Sequence, residues 1–166
     1  MIRLAIAVTC TVLLGHSAAQ ASAAKPLGQF GNWSAAAYAN GNSQRCYISS
    51  SPVAERPERL NHGDVFFFVQ TGEGASNGTE SSFQTGYDFA KDSPVRITIG
   101  DATFQMMTSG RNAWLQRLER EPELLAAMRG GNEMVLEARS ARGNPTSYTF
   151  SLTGVTAASR LLGQCS

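Results

Sequence analysis

The spacing of its cysteines constrains this chain more than any other feature. The sequence contains three, Cys10, Cys46 and Cys165, and the last of them stands next to the final residue. If Cys10 leaves with an N-terminal leader, the other two allow only one intramolecular pairing. Such a bond would close a loop of about 120 residues and tie a terminus that would otherwise fray to an early strand. The alternative is a pair of free or intermolecular thiols.

The first 24 residues have the layout of a secretory signal peptide. Arg3 supplies a positive start, an apolar run follows over residues 4–14, and small residues then lead to Ala-x-Ala sites. The apolar run is too short to span a bilayer as a helix, although an uncleaved anchor is the alternative. We therefore predict a signal peptide over residues 1–24, cleaved between Ala21 and Ala24.

The remaining residues, 25–166, are predicted to form a single domain that is exported to the periplasm. Without Arg3 the chain keeps 13 basic residues against 13 acidic ones, so its formal charge is close to zero. The sequence has no stripe of basic residues of the kind that binds nucleic acid. No later segment is apolar enough to be transmembrane. We expect neither a nucleic-acid partner nor an integral membrane protein, and the sequence assigns no oligomeric state.

Hydrophobic alternation predicts seven or so short strands. The clearest hairpin is residues 93–107, in which Val95, Ile97 and Ile99 alternate with polar residues up to a Gly-Asp turn. The other predicted strands cover residues 33–38, 45–50, 64–71, 82–89, 132–140 and 146–153. Two short helices are predicted, over 121–131 and 154–163. Because no βαβ alternation is present, we expect a mainly β fold, an antiparallel β-sandwich or curled barrel with two short helices.

Three consecutive phenylalanines, Phe66, Phe67 and Phe68, break the expected pattern of a half-buried strand. Successive side chains of a strand point to opposite faces, so both faces of this strand are apolar. Either a helix of the chain covers the outer face, or a partner does.

Chemistry-bearing residues are sparse. His62 is the one histidine after the leader, and with Asp64 it supplies too few ligands for a metal. A Ser-His-Asp set could be composed, but the sequence has no G-x-S-x-G elbow. A carboxylate pair among Glu55, Glu58, Glu73 and Glu80 would be the other route to a hydrolase. We predict no catalytic, cofactor-binding or metal residues and no cofactor.

Several fragments, in order, resemble the invasion-associated locus B family of exported proteins. They are FGNW, CYISSSP, GDVFFFV, GYDF, SPVRITIGDATFQM, AW, LLAAMRGGNEMVLEARSARGN and YTFSLTGVTAA, and the resemblance covers the chain from Phe30 to Cys165. The resemblance implies a β-rich bacterial protein of the periplasm or cell surface, associated in some members with entry into host cells. It brings no catalytic residues. Better-known members have additional cysteines, so this chain resembles a divergent branch.

These observations favour a non-enzymatic protein that binds another envelope component or supports envelope integrity or host-cell interaction. The predicted contact surface consists of Phe66, Phe68, His62 and Asn77, with the loops 51–63 and 71–82. The alternative is a glycan- or lipid-binding module, whose stacking surfaces would come from four aromatic residues. These are Trp33, Trp114, Tyr38 and Tyr87.

Overall fold

A computed structural model describes residues 24–41, 43–72 and 78–165 of the chain. The predicted signal peptide, except for Ala24, and Asn77 lie outside these described residues. Antiparallel strands dominate the described part. They are β1 (Lys25–Phe30), β2 (Trp33–Asn40), β3 (Ser43–Ser50), β4 (Ala54–Arg56), β5 (Phe66–Thr71), β6 (Thr79–Gln84), β7 (Val95–Ile99), β8 (Ala102–Ser109), β9 (Asn112–Leu115), β10 (Glu133–Arg139) and β11 (Pro145–Ser151).

All described strands belong to one sheet that is not closed into a barrel. Its order is β1-β2-β3-β5-β6-β9-β8-β7-β10-β11-β4, so β1 and β4 form the two edges. The register of β1 on β2 shifts between Pro26 and Gly28, which marks a bulge on that edge. The prediction of a mainly β, antiparallel fold is confirmed, as a single curled sheet.

The sheet curls because one of its faces is almost entirely apolar. The rings of Phe67 on β5 and Phe150 on β11 meet edge to face with centroids 6.0 Å apart, although their strands are distant in the sheet order. Phe83 on β6 contacts Tyr148 on β11 in the same way, at 5.4 Å. Edge-to-face pairs of this kind add to the hydrophobic gain of burying the rings. The core therefore lies on the concave, inner face of the sheet.

The two predicted helices are confirmed and pack against this inner face. Helix α1 (Glu121–Gly130) follows a single 3₁₀ turn, and helix α2 (Val155–Ser159) continues into a C-terminal 3₁₀ helix (Arg160–Gln164). Pro122 lies in the first turn of α1, where its missing N–H costs nothing. Leu124 and Met128 of α1 and Leu162 of the C-terminal 3₁₀ helix are buried in the same cluster as the inward side chains of the strands.

Two glycines allow the chain to cross itself just before α2. Gly154 has φ +96°, and a Cβ atom there would overlap the carbonyl oxygen of Phe30. Gly31 faces it with φ +56°, and the neighbouring Asn32 N–H donates to the carbonyl of Thr153 at 3.1 Å. Only glycine adopts such φ values without a steric penalty. The residue that precedes α2 is Gly154, and no side chain caps the start of this helix.

Candidate functional site

The disulfide predicted from the cysteine count is confirmed. Cys46 lies at an inward position of β3, and Cys165 follows the C-terminal 3₁₀ helix; their Cα atoms are 5.4 Å apart. Both side chains are buried, at 1% and 7% exposure. The bond therefore fixes the last described residue of the chain onto the third strand.

The outer face of the same region carries a row of mostly apolar side chains across neighbouring strands. In the antiparallel register, Phe68 on β5 is opposite Ser82 on β6, Ser82 is opposite Trp114 on β9, and Trp114 is opposite Met107 on β8. Side chains in register on one face lie side by side, at the spacing of the strands. Met107 is 55% exposed, which is unusual for a large apolar side chain of a strand.

Further rings extend this row toward the β2–β3 hairpin. Tyr47 contacts Phe68 edge to face with centroids 6.1 Å apart, Tyr38 contacts Tyr47 at 6.1 Å, and Phe66 contacts Phe68 at 5.8 Å. We call these residues the aromatic band: Tyr38, Tyr47, Phe66, Phe68 and Trp114, with Met107 at its end. Each ring is partly buried, and Ser82 lies between Phe68 and Trp114 in the register.

The aromatic band answers the question raised by the three consecutive phenylalanines. Phe67 is fully buried on the inner face, whereas Phe66 and Phe68 lie on the outer face. The buried side chains of α1, α2 and the C-terminal 3₁₀ helix join the inner cluster. In the described part of the chain, it is therefore other rings of the sheet, rather than a helix, that flank the outer phenylalanines.

The other residues predicted from the sequence lie elsewhere. Trp33 is fully buried and donates its indole N–H to the carbonyl of Ser151 at 3.0 Å, so it is a core residue. His62 was expected at the contact surface, but the structure buries it to 4% exposure. Of the loops 51–63 and 71–82, the first contains β4, and residues 79–82 of the second belong to β6.

His62 heads a chain of polar groups that runs along the inner face. Its Nε2 lies 3.0 Å from the carbonyl of Pro57, and its Nδ1 lies 2.8 Å from the hydroxyl of Tyr148. The Tyr148 hydroxyl donates to that of Tyr87 at 2.8 Å, and Tyr87 lies 2.7 Å from the hydroxyl of Thr146. Burial raises the pKa of both tyrosines. The tyrosines therefore stay protonated, and the chain is a string of neutral hydroxyls that ends on an imidazole.

The chain of polar groups ends on a backbone carbonyl at each side. Thr146 donates to the carbonyl of Ala138 at 3.3 Å, so the chain has five contacts and ends on a carbonyl at each side, which can only accept. A backbone hydrogen bond joins the loop before β5 to the loop after β6, because the Gly86 N–H donates to the carbonyl of His62 at 3.1 Å. Both nitrogens of the His62 ring are engaged within the fold and are not directed at a substrate.

Among the described residues, Glu121 is the one Asp, Glu, Lys or Arg that is buried. Its side chain is fully buried at the start of α1. One carboxyl oxygen accepts from the Ser81 N–H at 2.8 Å and the other from the Ser81 hydroxyl at 2.7 Å. Burial raises the pKa of Glu121, and the two hydrogen bonds from Ser81 oppose this only in part. The carboxyl group joins α1 to β6 and carries a desolvation cost whenever it is ionised.

We expect Glu121→Gln to stabilise the protein at neutral pH by roughly 1–2 kcal/mol. Between the ordinary pKa of glutamate and the raised one, the folded state keeps a proton that the unfolded state has lost. The free energy of unfolding therefore falls as the pH rises through this window. A glutamine keeps both contacts with Ser81, because its amide can donate to the serine hydroxyl.

Urea unfolding at several pH values from 4.5 to neutral, on the order of one unit apart, measures this effect, since wild type and variant should diverge as the pH rises. Glu133→Gln, at an exposed position of β10, is the control and should leave the pH dependence of wild type unchanged. A Glu121→Gln variant that is less stable than wild type at neutral pH would show that the ionised carboxylate is stabilising.

Within residues 24–41, 43–72 and 78–165, no three His, Cys, Asp or Glu side chains come together as metal ligands. The same residues contain no helix long and apolar enough to cross a membrane. The arrangement that stands out is the aromatic band, which is suited to recognition.

Comparison with known proteins gives the family. A crystal structure of invasion associated protein b from Bartonella henselae is similar to this chain, with a TM-score of 0.59, 17% sequence identity, and coverage of 82% of this chain and 95% of that one. This likeness shows a shared fold. A search of curated proteins finds no match. The family model of the invasion associated locus B protein matches residues 33–162, most of the chain. This chain belongs to the invasion associated locus B family.

Proposed function

We propose that this protein is exported to the bacterial cell envelope and acts there by binding another envelope component through the aromatic band. The observation that carries the proposal is the band itself, a row of partly buried rings that ends on an exposed methionine. Aromatic residues and methionine are enriched at the centres of protein interfaces, and tyrosine and tryptophan are frequent energetic anchors there. Rings that a β-sheet already holds in place present such anchors at low entropic cost.

Two features support the envelope as the setting. The Cys46–Cys165 disulfide is of a kind that persists in oxidising compartments and is rare in the cytosol. The first 24 residues have the sequence pattern of a cleaved signal peptide. The names of the family and of the Bartonella henselae protein refer to invasion, so contact with a host cell is a second setting in which the same face could act.

The proposed mode of action is binding rather than catalysis. His62, the histidine on which a hydrolase would depend, is enclosed and bonded through both ring nitrogens. In this proposal the contacts are made by uncharged side chains on the outer face. Their desolvation on binding costs little free energy.

A photo-crosslinking amino acid at position 107 tests the proposal. Met107 lies at the end of the aromatic band, and p-benzoylphenylalanine there should form one discrete adduct with an envelope protein in intact cells. The matched control is the same probe at Val53, which is 56% exposed and lies beside the edge strand β4. The adduct should be absent at position 53, and Phe68→Ser should reduce it at least tenfold. The proposal fails if both positions give the same adducts, or if Phe68→Ser leaves the adduct intact.

A glycan is the second candidate for the same face, favoured by the hydroxyl groups that lie between the rings. Ser49 and Ser82 flank Phe68 on the two neighbouring strands. Rings and hydroxyls in one row suit the apolar faces and hydroxyl edges of sugars. In this case position 107 gives no protein adduct, and peptidoglycan fragments raise the melting temperature of wild type but not of the Phe68→Ser variant.

A further inference from the structure

A cleft in the described chain lies beside helix α1 and the C-terminal 3₁₀ helix. Its volume is about 780 Å³, and it is bordered by the ends of β3 and β6, helix α1 and the C-terminal 3₁₀ helix. The buried Cys165 lies in its wall, so the disulfide holds the 3₁₀ helix in place as one side of the cleft. A volume of this order suits a small molecule rather than a protein segment.

Three arginines from three separate elements line this cleft. They are Arg45 on β3, Arg129 at the end of α1 and Arg160 in the C-terminal 3₁₀ helix, and no described residue of the lining is acidic. The whole chain has a formal charge of only +1. Three positive charges around one concave site are therefore a local concentration, which the low-dielectric walls of a cleft strengthen.

Two of these guanidinium groups are held in position by other residues of the lining. Arg45 donates to the carbonyl of Thr71 at 3.0 Å, and the Nε–H of Arg129 donates to the hydroxyl of Ser159 at 2.9 Å. Ser159 is itself buried, at 3% exposure. Arg129 therefore binds the fold through Nε, and a guanidinium group has two terminal nitrogens besides Nε that can donate to a carboxylate or phosphate.

The rest of the wall is apolar. Pro122, Leu125 and Leu162 line the cleft next to the arginines. We propose that the cleft binds an amphipathic anion, whose phosphate or carboxylate group contacts Arg129 and Arg160 and whose hydrocarbon chain lies against Leu125 and Leu162. Burial of the chain supplies the affinity, and the arginines select for an anionic head group. This inference does not rest on the proposed function, because the aromatic band and the cleft share no residue.

Isothermal titration with dodecyl phosphate, below its micellar concentration, tests the proposal on the full oxidised protein. We expect saturable binding that is at least tenfold tighter than that of inorganic phosphate or of dodecyl maltoside, which has an uncharged head group. The double variant Arg129→Gln/Arg160→Gln should weaken binding at least tenfold. Arg160→Gln alone, at an exposed position, should weaken it about threefold and guards against a folding defect from loss of the Ser159 contact.

The matched control is Arg142→Gln, since Arg142 borders a different crevice, beside His62. It should bind dodecyl phosphate as wild type does. Equal affinity for dodecyl phosphate and dodecyl maltoside would overturn the proposal, and so would an equal loss in the Arg142 variant or no loss in the folded Arg160 variant. Vesicles that contain phosphatidylglycerol distinguish two sources of the ligand. Binding to them indicates a membrane lipid, and binding to monomeric dodecyl phosphate alone indicates a free amphiphile.

Discussion

Replacement of both Cys46 and Cys165 by alanine is expected to lower the free energy of unfolding by about 4–5 kcal/mol. The disulfide joins residues that are 119 positions apart, so its loss frees almost the whole domain in the unfolded state. The same change releases the C-terminal 3₁₀ helix, whose Leu162 would then depend on its apolar contacts alone. A domain of this size has a total stability of only about 5–15 kcal/mol, so the variant should be close to the limit of folding at 37 °C.

Urea unfolding of the oxidised wild type, the reduced wild type and the double variant measures this effect. The reduced wild type should coincide with the double variant, and dithiothreitol should not change the variant further. If oxidised and reduced wild type unfold at the same urea concentration, the disulfide does not stabilise the fold by chain closure.

Gly154→Ala is expected to cost about 3 kcal/mol or more. The added Cβ atom would overlap the carbonyl oxygen of Phe30, which is backbone and cannot rotate away. The positive φ of +96° adds a strain of its own for any residue with a side chain. The chain would have to separate β1 from the start of α2 to relieve the clash.

Gly143→Ala is the matched control for this substitution. Gly143 also has a positive φ, +84°, but a Cβ atom there would have no neighbour within 4 Å. Its replacement should cost only about 1 kcal/mol, the backbone penalty alone. Thermal unfolding of the two variants compares them directly. Equal losses of stability in the two variants would show that the chain crossing between Phe30 and Gly154 adjusts without cost. The backbone penalty of the positive φ would then account for both losses.

The predicted strands with strong alternation were found, and the missed strands had no such signal. The hairpin of β7 and β8 and the strands β10 and β11 carry their apolar residues at every second position. Strands β1, β4 and β9 were not predicted. β1 contains a proline and a glycine, β4 has three residues and β9 four, so none of them forms a periodic pattern long enough to detect. The strand predicted over residues 82–89 was shifted, because Tyr87 and Phe89 contribute to the inner face from a loop.

The candidate site could be predicted only in part, because the sequence pattern does not show which strands pair or in which register. The run of phenylalanines placed Phe66 and Phe68 on an outer face, but it did not reveal which strands lie beside them. Trp114 and Met107 join the row through pairings between β6, β9 and β8, which no local pattern encodes. The burial of His62 likewise depends on Tyr148, 86 residues away in the sequence. The cleft lined by Arg45, Arg129 and Arg160 is likewise formed by three elements that are distant in the sequence.

The two margins of the open sheet determine how molecules of this protein can associate. An unpaired strand is a template on which another chain can add a strand and begin a fibril. Here one margin carries Lys25, Pro26 and a bulge, and the other is the three-residue β4, with Glu55 and Arg56, between Pro52 and Pro57. Neither offers a straight ladder of free backbone groups to a second copy. Strand-by-strand growth is therefore blocked at both ends, and the faces of the sheet remain as the surfaces for contact.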